Sequence, residues 1–178
     1  MPRILGVDPG SRKTGFGIIE LDGKRISHVV NGRLMVGDGE FADRLKQIFD
    51  GLTDLITRYQ PEIMVVEQVF LHKNADSALK LGQARGAAIC AAVNQQLLVH
   101  EYTATQIKKA VVGNGHASKA QIQYMMSVML KLPEPPVEDA ADALACALTH
   151  ANHQSLGTNI QRLPEGMRTS RRGGRYSR

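Results

Sequence analysis

Four carboxylates occupy positions where a carboxylate is costly to keep. Asp8 ends the apolar run ILGVD, Glu67 ends IMVVE, and Asp139 and Asp142 stand three apart in VEDAADALACALTH. An acid at the end of a buried strand destabilises the fold unless a cation or a metal ion meets it. In open α/β sheets, the C-terminal strand ends are also where ligands bind. At about 100° per residue in a helix, Asp139 and Asp142 fall within roughly 60° of each other. Converging carboxylates repel, and a hard divalent cation relieves the repulsion; oxygen donors of this kind suit Mg²⁺ or Mn²⁺. Two such ions activate water and stabilise the leaving oxygen of an in-line phosphodiester displacement. Each acid alone has an ordinary alternative. Asp8 before Pro9 and Gly10 shapes a turn. Glu67 pairs with a lysine. Asp139 and Asp142 favour a helix N-terminus. The set of four is more specific than any member, and Glu138, four residues before Asp142, is not excluded from it by sequence.

The elements that must position these acids follow from periodicity. Residues 3–8 and 14–22 read as strands joined by a Pro-Gly turn, and 25–36 as a third, with connections short enough for antiparallel hairpins. Phe41, Leu45, Ile48, Phe49, Leu52, Leu55, Ile56 and Tyr59 recur at helical spacing over 40–59, closed by Pro61. Residues 62–68 read as a buried parallel strand reached by that crossover. A second helix covers 75–96, where Ala78, Gly82 and Gly86 allow close approach, either to the sheet, the preferred reading, or to a second subunit. Residues 97–103 form a fifth strand. Two helices follow around a Gly-rich loop, the second opened by a Ser118–Gln121 capping box. The last helix spans 137–154, with Ala141, Leu144, Ala145 and Leu148 as a stripe for the sheet edge and its acids turned to a cleft. The expected fold is α/β, a mixed five-stranded sheet whose first three strands are antiparallel, flanked by helices. Residues 1–154 form one domain. Residues 155–178 read as a basic, disordered tail with little to bury.

Other chemistry-bearing residues are fewer. Phe70 lies in a polar loop beside His72, Lys73 and Asn74, where an aromatic ring either stacks on an unpaired base or folds onto the core. Lys108, Lys109, His116 and Lys119 flank the Gly-rich loop and suit phosphates, or are ordinary solvated side chains. The six histidines show no zinc spacing with the cysteines, and His150 and His153 read as surface residues. No nucleophile-elbow serine or P-loop is present.

Composition narrows the class. With 43% hydrophobic residues in 178, one globular domain with a sizeable core is expected. The net charge of +5 lies wholly in the tail, where Arg162, Arg168, Arg171, Arg172, Arg175 and Arg178 stand against Glu165; residues 1–154 are balanced. A nucleic-acid partner would therefore be held by a local basic patch or by bound metal rather than by a general positive field. Cys90 and Cys146 read as buried thiols in a reducing compartment. The start of the chain shows no charged-then-apolar leader, and the apolar run GAAICAAV is far short of a membrane span.

The segments ILGVDPGSRKTGFGI, VVEQVFLHKNADSALKLGQARG, VVGNGHASKAQIQYMM, LKLP and DAADALACALTH, with the spacing between them, closely resemble the RuvC family of bacterial Holliday junction resolvases, which have an RNase H-like fold. The resemblance covers about residues 1–154. It implies a homodimeric, cytoplasmic bacterial endonuclease that nicks two strands of like polarity at a four-way DNA junction, leaving 5′-phosphate and 3′-hydroxyl ends. It implies two Mg²⁺ per site, with Mn²⁺ able to substitute, and catalysis and metal binding by Asp8, Glu67, Asp139 and Asp142. It makes Phe70 a base-stacking residue, and Lys108 and Lys119 DNA contacts, together with Lys73, Asn74 and Lys109. It also implies partnership with the RuvA–RuvB branch-migration machinery. Three rivals remain to be weighed. The hairpin VDPGSRKTGFGI also resembles the phosphate-binding hairpin of actin-like ATPases, but those need a second such domain. A non-cleaving junction-binding module would lack part of the acid set. An RNase H-like nuclease for RNA–DNA hybrids would not need the long segment after Glu67.

Overall fold

The computed structural model describes residues 1–68 and 74–161, with side chains through residue 154. Three strands open the chain, β1 (Arg3–Asp8), β2 (Lys13–Asp22) and β3 (Arg25–Met35). They are followed by α1 (Phe41–Tyr59), β4 (Ile63–Gln68), α2 (Ala75–Asn94) and β5 (Leu98–Thr103). Then come α3 (Ala104–Val112), α4 (Lys119–Leu130) and α5 (Glu138–Gln161). The sheet order is β3-β2-β1-β4-β5. β1–β2 and β2–β3 are antiparallel, whereas β1–β4 and β4–β5 are parallel. The mixed five-stranded sheet is therefore as expected. Its three parallel strands end at one edge, and β1 and β4 are in register up to Val7 beside Val66, so Asp8 and Glu67 continue adjacent strands side by side.

Strand alternation sorts the core into two layers. Leu5, Val7, Phe16, Ile18 and Met64 face α1 and α2, joined by Ile48, Leu52, Ala84 and Ala88. Ile4, Ile19, Ile63 and Val65 face α3, α4 and α5, joined by Ile107, Ile122, Met126 and Leu144. Asp8 has the parity of Ile4, and Glu67 that of Val65, so both acids belong to the α5 face.

Helix α5 departs from the expected one-sided stripe on the sheet edge. It crosses the middle of the sheet, on β1 and β2, with α3 and α4 packed on its outer side. Ala140, Ala141, Ala143 to Ala151 are all buried, so the acids at its start are the exception on a helix enclosed all round. Three glycines make this possible. A Cβ on Gly6 would lie 1.8 Å from the Ala143 carbonyl oxygen, one on Gly15 1.9 Å from that of Asp139, and one on Gly17 2.6 Å from the Leu144 side chain. The helix also continues to Gln161, seven residues into the segment expected as tail. Residues 162–178 lie outside the described residues.

Three other expectations are corrected. Gly82 and Gly86 do not pack against the sheet: among the described residues nothing lies within 4 Å of a Cβ built on either. They share the outward face of α2 with Leu79, Val93 and Cys90, which is exposed rather than buried, because Ala84, Ala88, Ala91 and Ala92 take the inward face. His150 is not a surface residue. α3 and β5 cover this part of α5, leaving it 4% exposed, with Nδ1 hydrogen-bonded to the Tyr102 hydroxyl at 3.0 Å and its ring 4.3 Å from that of His100. Burial, and then the neighbouring His100 and His153, push its pKa down to about 4. His153 is exposed, as expected, and stacks on Tyr102.

Candidate active site

The turn after β1 fixes where Asp8 points. Thr14, fully buried, donates its hydroxyl to the Gly10 carbonyl at 3.1 Å, closing the reversal that Pro9 begins. A Cβ on Gly10 would sit 2.3 Å from the Lys13 carbonyl oxygen, so the tight return requires glycine there. β2 then pairs with β1 so that Gly15 lies opposite Asp8. The absence of a side chain at Gly15 lets the first turn of α5 settle on β2, and the Asp139 Cβ would be 3.0 Å from a Cβ at that position. Asp142 follows less than one turn later. Acids from β1, β4 and α5 thus meet at the edge where the parallel strands end.

The cleft there has a volume of about 480 Å³. Asp8, Glu67 and Asp142 line it, together with Pro9, Gln68, Lys108 and Lys119. Leu81, Ala104, Ile107 and Ile122 supply its apolar wall. Asp139 is not part of the lining but acts on it electrostatically. The Asp8 carboxyl is pushed up to about 7, first by burial and then by the charges of Asp142, Glu67 and Asp139, with Lys119 pulling the other way. Asp142 is pushed up to about 6, again by burial first. Lys119 opposes that shift, while Glu67, Glu138 and Asp139 add to it. Glu67 is raised by burial and held down by Lys108 and Lys119. Even the buried Cys146 thiol, one turn below Asp142, is raised by burial and then by Glu67, Asp8 and Asp142. The site stores mutual repulsion that two lysines only partly offset. Such a set of oxygen donors is what a hard divalent cation takes. Among the described residues, no three His, Cys, Asp or Glu groups already stand as a closed cage.

The other residues singled out by sequence divide clearly. Lys108, half-buried on α3, and Lys119, at the start of α4, both reach the cleft, whereas Lys109 is exposed and does not line it. The expected Ser118–Gln121 capping box is present and fixes the helix end that carries Lys119. Lys119 Nζ is hydrogen-bonded to Glu138 Oε1, the acid that sequence left open. Asn74 caps α2, its side-chain oxygen accepting from the Asp76 and Ser77 amides at 3.0 and 3.2 Å. Phe70 and Lys73 lie outside the described residues. Sequence reasoning missed Arg85, whose Nε donates to the Glu67 carbonyl at 3.3 Å, because nothing in the run GQARG marks which strand end it meets.

The family model described as crossover junction endodeoxyribonuclease RuvC matches residues 4–150. The enzyme of that name from Citrifermentans bemidjiense is 59% identical over 157 residues, covering 88% of this chain and 94% of its own. The one from Vibrio campbellii is 52% identical over 176 residues, covering 99% of both. Among solved structures, T. thermophilus RuvC in complex with Holliday junction substrate superposes with a TM-score of 0.82 at 31% identity, covering 89% of this chain and 98% of that one. The yeast mitochondrial Holliday junction resolvase Ydc2, at 10% identity and a TM-score of 0.65, shares the fold. On the extent of these matches, and with a mixed sheet that gathers acids at one strand edge, this chain belongs to the RuvC family of crossover junction endodeoxyribonucleases.

Proposed function

We propose that this protein resolves four-way DNA junctions in homologous recombination and repair by paired, symmetric nicks. Asp8, Glu67, Asp139 and Asp142 hold two Mg²⁺ per site, or Mn²⁺ in their place. The observation that carries the reading is the convergence of Asp8, Glu67 and Asp142 on one cleft, with Asp139 close enough for its charge to act there, and with Asp8 raised to about 7 and Asp142 to about 6. Bound divalent ions would supply an activated water and charge stabilisation at the leaving oxygen, giving 5′-phosphate and 3′-hydroxyl ends. The chain's own residues do the rest. Asp8 and Glu67, on adjacent strands of a rigid sheet, fix the spacing of the donors. Lys108 and Lys119 hold backbone phosphates at the cleft mouth as point charges. The wall of Leu81, Ile107 and Ile122 lowers the water content around the reacting phosphate.

The remaining assignments rest on the family. Phe70 would stack on a base at the crossover, with Lys73, Asn74 and Lys109 as peripheral contacts; capping leaves the Asn74 amide N–H groups for that purpose. A second copy of the chain would provide the second nick, docking through the outward α2 face on which Gly82 and Gly86 are open and Leu79 and Val93 are 63% and 58% exposed. RuvA and RuvB would deliver the junction. No described helix is long and apolar enough to cross a membrane, and the proposed site of action is the bacterial cytoplasm. The arginines beyond residue 161 would add a salt-sensitive, sequence-independent contribution to binding.

The experiment is cleavage, in Mg²⁺, of a four-way junction, a linear duplex and an RNA–DNA hybrid of the same sequence. Symmetric, ligatable nicks in the junction are expected. Faster cutting of the hybrid would overturn the reading.

Glu138 bears on the same cleft. It holds Lys119 in the free protein, yet both side chains are well exposed, so the pair is weak and Lys119 can exchange to a phosphate. Glu138→Gln frees that lysine and removes a negative charge from the cleft mouth. Junction affinity, measured in Ca²⁺ by fluorescence anisotropy, should tighten about two- to fivefold at low salt, and the gain should fade as salt rises. Unchanged affinity at low salt would mean that Glu138 does not compete for Lys119.

A further inference from the structure

On the face of the sheet opposite the acids, Arg85 joins the ends of two strands. α2 buries Ala84 and Ala88 in the core layer on this face of the sheet, and Arg85 follows Ala84 in the same turn. Arg85 Nη2 is 2.6 Å from Glu101 Oε1 on β5, and its Nε donates to the Glu67 carbonyl oxygen on β4 at 3.3 Å. Only 20% of the side chain is exposed, against 68% for Lys119. In the parallel register Val66 lies beside Glu101 and Glu67 beside Tyr102, so one guanidinium spans the last rungs of both strands. Alternation turns Glu101 towards α2 and the Glu67 carboxylate towards α5. What Arg85 grips on Glu67 is therefore its main chain, from the side opposite its carboxylate. Only the pair Gln68 and Thr103 follows before the ladder ends. Beyond it, Thr103 caps α3, the helix that carries Lys108.

We propose that Arg85 is a positioning residue for Glu67. Anchored on Glu101, its planar fork holds the main chain at the end of β4 so that the Glu67 carboxylate enters the cleft beside Asp8. The surface ion pair with Glu101 alone would add little. The added element is the second N–H, directed at a carbonyl one strand away, a geometry that suits arginine and not lysine. This deepens the proposed cleavage by the four acids and rests on that reading.

The test uses the full chain and two substitutions, Arg85→Met, which keeps the stem, and Arg85→Lys, which keeps the charge. Single-turnover cleavage of a junction in Mg²⁺, junction affinity in Ca²⁺, Mn²⁺ binding to the DNA-free protein and the melting temperature are read together. Arg85→Met should cut about tenfold more slowly and bind Mn²⁺ more weakly, while junction affinity stays within about twofold, because a misplaced catalytic group costs rate before binding. Arg85→Lys should recover part of the rate. Wild-type cleavage in the same assay tests the underlying reading separately. Wild-type rate and Mn²⁺ binding in Arg85→Met would overturn the positioning role. So would a rate loss that disappears once the variant is assayed at a temperature where it is fully folded.

Discussion

Asp8→Asn will bind a four-way junction without cutting it, and in metal-free buffer at pH 8 it will melt at a higher temperature than the wild type. The two outcomes have one cause. Asp8 is forced into a half-buried position among Asp142, Glu67 and Asp139, and its carboxyl is raised from 3.8 to about 7. Above that pH the carboxylate is charged in both folded and unfolded chains, and the folded chain carries the full penalty. Each pKa unit corresponds to about 1.4 kcal/mol, so the penalty is on the order of a few kcal/mol. Asparagine has nearly the same shape and no charge. Between pH 4 and 7 the folded wild type takes up the proton that relieves the repulsion, while the unfolded chain does not yet need it. Wild-type stability therefore falls as pH rises through this window. The gap between variant and wild type should be widest at pH 8 and shrink towards pH 4. His150 titrates identically in both proteins and cancels from the comparison. Divalent ions should reverse the order, because they bind the wild-type site more tightly and stabilise what they bind. The same substitution removes a donor for the ions that stabilise the transition state, and the cleavage rate should drop by about a thousandfold or more. Thermal melts at pH 8, 6 and 4 with and without Mg²⁺, set beside junction cleavage, check every part. A gap that is constant with pH would show that Asp8 is not under electrostatic strain.

Gly15→Ala should be nearly as damaging, although its new methyl group carries no charge. The added Cβ would lie 1.9 Å from the Asp139 carbonyl oxygen and 2.4 Å from its carbon. These are backbone atoms at the start of a helix enclosed on both sides, and they have no rotamer to retreat into. The first turn of α5 must lift by roughly 1–2 Å to restore ordinary contact, taking Asp139 and Asp142 with it. A displacement of that size at reacting groups costs about a hundredfold in rate, and overpacking costs about 1–3 kcal/mol in stability. Junction affinity should fall by less than the rate, because Lys108 and Lys119 stand on α3 and α4 and long side chains tolerate a shift that metal-binding carboxylates do not. Gly37→Ala is the control: its Cβ would meet only the Gln47 side chain, at 3.5 Å, an ordinary contact. Wild-type cleavage by Gly15→Ala would refute the close packing of α5 on β2.

How much of this was readable in the chain depends on the range of the interaction. Strand ends, the helix over 41–59 and the Ser118–Gln121 box are local, and pattern reveals them to within a residue or two. The pairing of Asp8 with Glu67 at one sheet edge followed from two buried strands ending in acids. The burial of α5 on all sides did not, because its outer cover comes from α3 and α4 and its own sequence is mostly alanine, which fits any environment. Sequence does not separate packing from exposure at Gly82 and Gly86, since a small residue suits a tight contact and an open face equally. The roles of Gly6, Gly15 and Gly17 need knowledge of which helix crosses which strand. Arg85 and His150 likewise owe their roles to partners far away in sequence, Glu101 and the Glu67 carbonyl for one, Tyr102 and His100 for the other.

The most direct test is the location of divalent ions in crystals of the junction complex grown with Mn²⁺, using its anomalous scattering. Strong anomalous peaks bounded by the carboxylates of Asp8, Glu67, Asp139 and Asp142, and absent from crystals of Asp8→Asn, are the expected result. Cleavage-competent crystals with no peak among these four acids, or with Mn²⁺ held elsewhere on the chain, would contradict a metal-dependent site built by β1, β4 and α5.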